Sequence, residues 1–235
     1  MGINKKRIAE RQKAAELAKK QEKQKQFGAL ALKIGVVVAA LAVFITAVAL
    51  IVGGGEEKEV NRESVKLDTS KTYYADIAIK DYGTITVELD SAAAPITVQN
   101  FVELAKSGFY NGLTFHRIME GFMMQGGDPE GNGTGGSDKD ITGEFASNGW
   151  NNPISHKRGV ISMARSNDPN SASSQFFIMH QDATYLDGNY AAFGKVTSGM
   201  DVVDKICTTA KPTDSNGTIP AAEQPVIESI TIREK

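Results

Sequence analysis

Apolar residues are distributed along this chain in two ways. Ile34 to Val52 is an unbroken run of nineteen residues without a charge. Beyond Tyr73 the apolar positions come in short stretches that alternate with polar ones. Tyr73 to Lys80 and Thr84 to Leu89 alternate on either side of Asp81-Tyr82-Gly83, which predicts a β-hairpin about a short turn. Pro95 opens a stretch with Val98, Phe101, Val102 and Ala105 at helical spacing, and Gly108 supplies a stop. Short strands are predicted at Leu113 to Ile118, Phe122 to Gln125, Val160 to Ala164 and Gln175 to Met179. Ser198 is placed to cap a second helix through Ile206, and Val226 to Ile232 alternates as a closing strand. Short strands with two helices over about 165 residues predict one mainly β domain, a closed or nearly closed antiparallel barrel rather than a layered parallel sheet.

Charge divides the chain at the long apolar run. Up to Gln26 there are nine Lys and Arg against three Glu, whereas Gly53 to Lys235 holds 16 basic and 25 acidic residues. A helix of nineteen residues covers about 28 Å, close to the roughly 30 Å of a bilayer's hydrocarbon core. The basic flank favours the cytoplasmic side. A cleaved leader fits less well, because the basic region is long and Leu50-Ile51-Val52-Gly53 lacks a small-residue cleavage pattern. A buried core helix fits less well too, since the run is apolar all round and begins at a charge step.

The expected organisation is therefore a basic cytoplasmic segment over 1–27, a transmembrane signal-anchor helix over 28–52 contacting the lipid bilayer, a linker over 53–71, and a domain over 72–235. The expected arrangement is that of a single-pass cell-membrane protein with its N-terminus cytoplasmic and its domain extracytoplasmic. Residues 5–26, rich in Ala, Lys, Glu and Gln, suit a solvated helix that serves as an orientation signal. Gly53-Gly54-Gly55 and the charged stretch behind it suit a tether with a reach of about 24 Å.

Candidate chemistry is sparse. Cys207 is the one cysteine, so no intrachain disulfide forms, and its apolar surroundings suit a core residue rather than a nucleophile. His116, His156 and His180 lack zinc-ligand spacing, and His116 between Phe115 and Arg117 reads as a buried, hydrogen-bonded structural histidine. Gly131-Asn132-Gly133-Thr134-Gly135-Gly136 matches G-x-G-x-x-G in letters but has no helical pattern behind it, which makes it a loop and not a nucleotide site. No cofactor, metal or nucleic-acid partner is expected.

More informative is Phe115 to Asp128, where one cation and one amide stand among large apolar groups. Together with Ser173-Ser174-Gln175-Phe176-Phe177-Ile178, Leu186-Asp187-Gly188 and Phe193-Gly194-Lys195-Val196, this segment resembles the cyclophilin family of peptidyl-prolyl isomerases. The resemblance runs in order from the hairpin near Tyr73 to the last strand. It implies an eight-stranded antiparallel closed barrel capped by two α-helices, with a shallow proline-binding groove outside it. It further implies that Arg117, Phe122, Gln125 and Phe177 are catalytic, and that Met123, Ala164, Arg165, Gln175, Tyr185, Leu186 and Tyr190 bind substrate. The implied activity is cis/trans isomerisation of X-Pro bonds in proline-containing polypeptides, without a covalent intermediate and with Arg117 stabilising the twisted amide. A membrane-tethered, non-catalytic proline-peptide-binding or chaperone module is the alternative. Tyr185, Tyr190 and Arg165 stand where the best-known eukaryotic members have tryptophan, histidine and asparagine. Without the indole donor, the cyclosporin binding known in the family is expected to be weakened.

Overall fold

The computed structural model describes residues 67–68 and 71–235. The segments expected as a basic region over 1–27 and a bilayer-spanning helix over 28–52, with most of the linker, lie outside them. Among the described residues no helix is long and apolar enough to cross a membrane.

The hairpin forms as expected. Strand β1 (Tyr73–Ile79) pairs antiparallel with β2 (Gly83–Leu89). Asp81 in the turn takes φ 64°, a left-handed conformation that aspartate tolerates better than most residues. In β1 the odd-numbered residues Tyr73, Ala75, Ile77 and Ile79 are buried and the even ones are less so, as a period of two requires for a half-buried strand.

Helix α1 (Pro95–Lys106) starts on the proline, whose missing N–H and fixed φ suit the first turn. It buries the expected face, with Phe101 at its centre. The Phe101 ring lies 5.3 Å from Tyr110, 5.5 Å from Phe176 and 5.2 Å from Phe193, which joins the helix to the inner face of the sheet. Truncating such a ring to alanine costs about 3–5 kcal/mol.

Strands β3 (Thr114–Met119), β4 (Met123–Asp128), β5 (Val160–Met163) and β6 (Phe176–Met179) fall within two or three residues of expectation. Strand β7 (Ala192–Ser198) had no counterpart in the apolar pattern. Gly194 interrupts its alternation because a Cβ there would stand 2.4 Å from the carbonyl oxygen of Glu88 on β2. Ser198 is the last residue of β7 and caps nothing. Helix α2 (Met200–Thr209) begins after Gly199, whose left-handed φ of 87° makes the bend, with no side-chain cap. Strand β8 (Ile227–Glu234) closes the order.

The eight strands form one antiparallel sheet in the order β3-β4-β6-β5-β7-β2-β1-β8. The expected closed barrel is in fact open. Edge strands β3 and β8 share no ladder and meet only near Thr114 and Val226. The chain between α2 and β8 takes up the outer edge of β3 instead. Ile118 N–H donates to the Gly217 carbonyl (2.8 Å) and Ile219 N–H to that of His116 (2.9 Å). This loop satisfies the edge groups of β3 in place of β8.

Candidate active site

Strands β4 and β6 place apolar side chains on both faces of the sheet. Met124, Phe176 and Ile178 enter the main core. Met123, Phe177 and Met179 form a second, smaller cluster with Val160, Ala183 and Ala192. Because side chains alternate along a strand, that second cluster lies on the outer face of the sheet. It makes the floor of a groove.

Strand register sets the chemistry on this floor. Arg117 pairs with Gln125, Gln125 with Phe177, and Phe177 with Ser162, so four strands place these residues in one row about 4.8 Å apart. Met119, Met123 and Met179 form the next row. A cavity of about 140 Å³ opens over the floor. Its wall contains nine of the eleven expected site residues: Arg117, Phe122, Met123 and Gln125 from β3, β4 and the turn between them, and Ala164, Arg165, Phe177, Leu186 and Tyr190 from the other strands and loops. Gln175 lies in an adjoining cavity of about 190 Å³ that shares Gln125, Ala164 and Arg165. Tyr185 lines neither. It is 72% exposed and stacks on Phe122 with ring centroids 6.2 Å apart. A larger cavity of about 650 Å³, near Lys71, Asp90 and Lys195, contains none of the expected residues.

Arg117 is held from several sides. Its Nε donates to the Asn216 carbonyl at 2.7 Å and Nη1 to Gln125 Oε1 at 3.2 Å. Nη2 lies 3.3 Å from Met119 Sδ, and the guanidinium carbon sits 5.9 Å from the Phe122 ring centre. Burial lowers its pKa, yet an arginine so shifted stays cationic at neutral pH. Gln125 Nε2 donates to Gln175 Oε1 (2.9 Å), and Gln175 Nε2 to the Gly135 carbonyl (2.7 Å). This chain of donors fixes the amide orientation of Gln125, so that its oxygen faces Arg117.

Phe177 rests on a buried support that the sequence pattern did not disclose. The His156 ring stacks on it 6.1 Å away at 17°, and Tyr190 meets it edge-on at 5.8 Å. His156 Nδ1 lies 2.9 Å from Asp187 Oδ1, and Nε2 lies 3.1 Å from Ser162 Oγ. Burial pushes the His156 pKa down more than Asp187 raises it. Burial would push the Asp187 carboxyl up, but hydrogen bonds from the His156 backbone, Ser155 and the ring hold it low. The neutral tautomer, donating from Nδ1 and accepting the Ser162 proton at Nε2, satisfies all three groups. With Ser162 fully buried, this Ser-His-Asp line is a prop and not a nucleophilic triad.

His180 anchors the opposite lip. Its Nδ1 accepts from Gly121 N–H at 2.9 Å, while the backbone N–H of His180 donates to the Phe122 carbonyl at 2.9 Å. Arg158 donates to the His180 carbonyl and pairs with Asp204 on α2 at 2.7 Å. The β3–β4 turn that carries Phe122 is thereby tied to β6 and α2.

His116 is buried as expected, but neither ring nitrogen makes a hydrogen bond, contrary to the expected bonded histidine. Its ring lies under Gly133, where the loop 129–135 turns its backbone N–H groups toward Asp128 instead. Cys207 is a core residue, its thiol pushed up to about 12 by burial. The glycine-rich stretch 131–136 is a loop with no helix behind it.

An open antiparallel sheet flanked by two helices, with an external groove floored by Met and Phe and bounded by a fixed arginine, defines a mainly β protein whose candidate site lies on the outer face of its sheet. The pattern of the family described as cyclophilin type peptidyl-prolyl cis-trans isomerase/CLD matches residues 74–233. A peptidyl-prolyl cis-trans isomerase of Helicobacter pylori is 49% identical over 141 residues, 59% of this chain and 83% of that protein. Peptidyl-prolyl cis-trans isomerase B of Bacillus subtilis is 46% identical over 123 residues, 52% of this chain and 82% of that one. Among solved structures, a cyclophilin-type isomerase of Cryptosporidium parvum, crystallised in the presence of the dipeptide Ala-Pro, matches with a TM-score of 0.61 at 29% identity. It covers 69% of this chain and 99% of its own. The chain belongs to the cyclophilin-type peptidyl-prolyl cis-trans isomerase family and is an isomerase.

Proposed function

We propose that the chain accelerates rotation about X-Pro bonds of extracytoplasmic polypeptides, held at the membrane by residues 28–52 and a tether over 53–71, and that Arg117 is its central catalytic residue. Amide resonance sets a barrier of roughly 18–20 kcal/mol to this rotation. As the bond twists, the proline nitrogen loses conjugation and becomes a hydrogen-bond acceptor. A guanidinium fixed beside it then binds the twisted state better than the planar one, which lowers the barrier. No bond is made or broken.

The observation that carries this reading is the row of Arg117, Gln125 and Phe177. The cation is oriented by a carbonyl and an amide, and it forms no salt bridge among the described residues. It lines a cavity of about 140 Å³ whose wall also holds Phe122, Met123, Phe177 and Leu186. Phe122, Met123, Phe177 and Leu186 would enclose the pyrrolidine ring, and Gln125 with the backbone at Ala164 would align the peptide. The Ala-Pro dipeptide present with the Cryptosporidium relative suits the same chemistry. Tyr185, in place of tryptophan, removes an indole N–H from the rim, so cyclosporin would bind weakly.

The test is cis-to-trans relaxation of an X-Pro peptide by the full chain in detergent micelles. Acceleration proportional to enzyme concentration is expected. A folded chain that binds the peptide without accelerating relaxation would turn the reading to a peptide-binding module.

A further inference from the structure

We infer that the groove prefers proline segments carrying an acidic side chain within two residues of the proline, and that Arg165 sets this preference. The inference rests on the groove being the X-Pro site. Arg165 lies just beyond β5, on the border of the two joined cavities, and lines both. Its guanidinium carbon sits 4.9 Å from the Tyr190 ring centre and 5.1 Å from that of Phe145. Nε donates to the Asn189 carbonyl at 3.0 Å and Nη1 to that of Ser166 at 2.8 Å. Rings and carbonyls orient this cation but do not neutralise it. Among the described residues it forms no salt bridge, and its Nη2 makes no hydrogen bond. A cation already fixed in place loses little freedom when a carboxylate binds, and its planar donor edge suits that ligand.

The surroundings point the same way. Neither cavity has an aspartate or glutamate in its wall, and among the described residues neither Arg117 nor Arg165 forms a salt bridge, although the Asp214 carboxylate acts on Arg117 from a distance. The smaller cavity's neighbour is walled by Thr134, Ser166, Ser171 and Ser173 together with the amides of Gln125 and Gln175, groups that hydrogen-bond a carboxylate without repelling it. This positive site is set in a segment, Gly53 to Lys235, where acidic residues outnumber basic ones 25 to 16. Consecutive Cα atoms are about 3.8 Å apart, so with proline over Phe177 a residue one or two steps along the peptide brings its side chain to the shared border.

The experiment compares kcat/KM of the full chain for X-Pro peptides that differ only in a Glu, Gln or Lys placed at each of the two positions on either side of the proline. At one or more positions Glu is expected to exceed Lys by about five- to tenfold at low ionic strength, the scale of one partly screened ion pair. The ratio should narrow in roughly 0.5 M salt. Arg165→Gln should bring the ratio close to one, and Arg165→Lys should keep most of it. Because the readout is a ratio within each variant, a general loss of activity does not imitate it. Equal values for Glu and Lys peptides in the wild type, or an unchanged ratio in Arg165→Gln, would overturn the preference alone. A wild-type chain that accelerates none of the peptides would overturn the groove reading and this inference with it.

Discussion

Arg117, Gln125 and Phe177 are each fixed in the groove by a neighbour. Arg117 is oriented by Gln125, which is oriented by Gln175, which is tied to the Gly135 carbonyl. Gln125→Ala removes the acceptor of a charge-assisted bond of about 1.5–3 kcal/mol. Part of that orientation is needed at the transition state, so kcat/KM for an X-Pro peptide is expected to fall about tenfold, with a smaller change in thermal midpoint. An unchanged kcat/KM would mean that the Asn216 carbonyl alone positions the guanidinium. Arg117, Gln125 and Phe177 were singled out because the short motifs that hold them resemble those of the cyclophilin family, and strand register brings the three into one row. Ser162, His156 and Asp187 were not. His156 comes from the stretch leading into β5, Ser162 from β5 itself and Asp187 from a loop 31 residues beyond His156, and they meet beside Phe177, a contact that no spacing along the chain announces.

Among the elements, the hairpin, α1 and most strands followed from alternation, helical spacing and a well-placed proline. The failures have local causes. Strand β7 escaped because Gly194 breaks its alternation, the helix start was misassigned to Ser198 because a left-handed Gly199 makes the bend, and closure of the barrel was lost to the loop that pairs with β3. The β3–β4 turn carries Phe122 and depends on His180, just beyond β6, a residue the sequence offered only as an isolated histidine. His180→Ala should leave Gly121 N–H without its acceptor, lower stability by about 1–2 kcal/mol and reduce kcat/KM. His180→Asn, whose Oδ1 stands near the position of Nδ1, should restore most of both. Urea midpoints and peptide kinetics on the two variants check this, and equal defects in both would show that packing of the ring or its Nε2 contact with Asp204 (3.3 Å), not the bond to Gly121, holds the turn.

At the scale of the whole domain, two buried histidines make stability depend on pH. His116 and His156 both have pKa values lowered by burial, against an unfolded value of about 6.5. Below about pH 6.5 the unfolded chain takes up protons that the folded one resists. Stability should therefore be complete above that pH and decline as pH falls beneath it. Asp76, lowered first by its bond from Arg233, and Asp187 add a further loss at more acidic pH, below the unfolded carboxylate value of about 3.9. Urea midpoints at pH 7.5 and 5.5 should differ in that direction, and equal midpoints would contradict the burial account. The membrane arrangement proposed from the apolar run is a separate claim. Protease added outside intact cells expressing the chain should release a fragment containing the isomerase domain, and protection of that domain until the cells are lysed would reverse the proposed topology.

The central claim is that Arg117 lowers the rotational barrier of the X-Pro bond. The most direct measurement is exchange between cis and trans forms of one X-Pro peptide, followed by NMR at saturating peptide, for wild type, Arg117→Ala and Arg117→Lys, with circular dichroism confirming the fold of each. Loss of one preorganised donor to a developing acceptor costs about 10²–10³ in kcat. The account predicts a fall of that order in Arg117→Ala with little change in peptide affinity, and incomplete rescue by lysine, which lacks the planar fork. A folded Arg117→Ala variant that exchanges the peptide at the wild-type rate would contradict it.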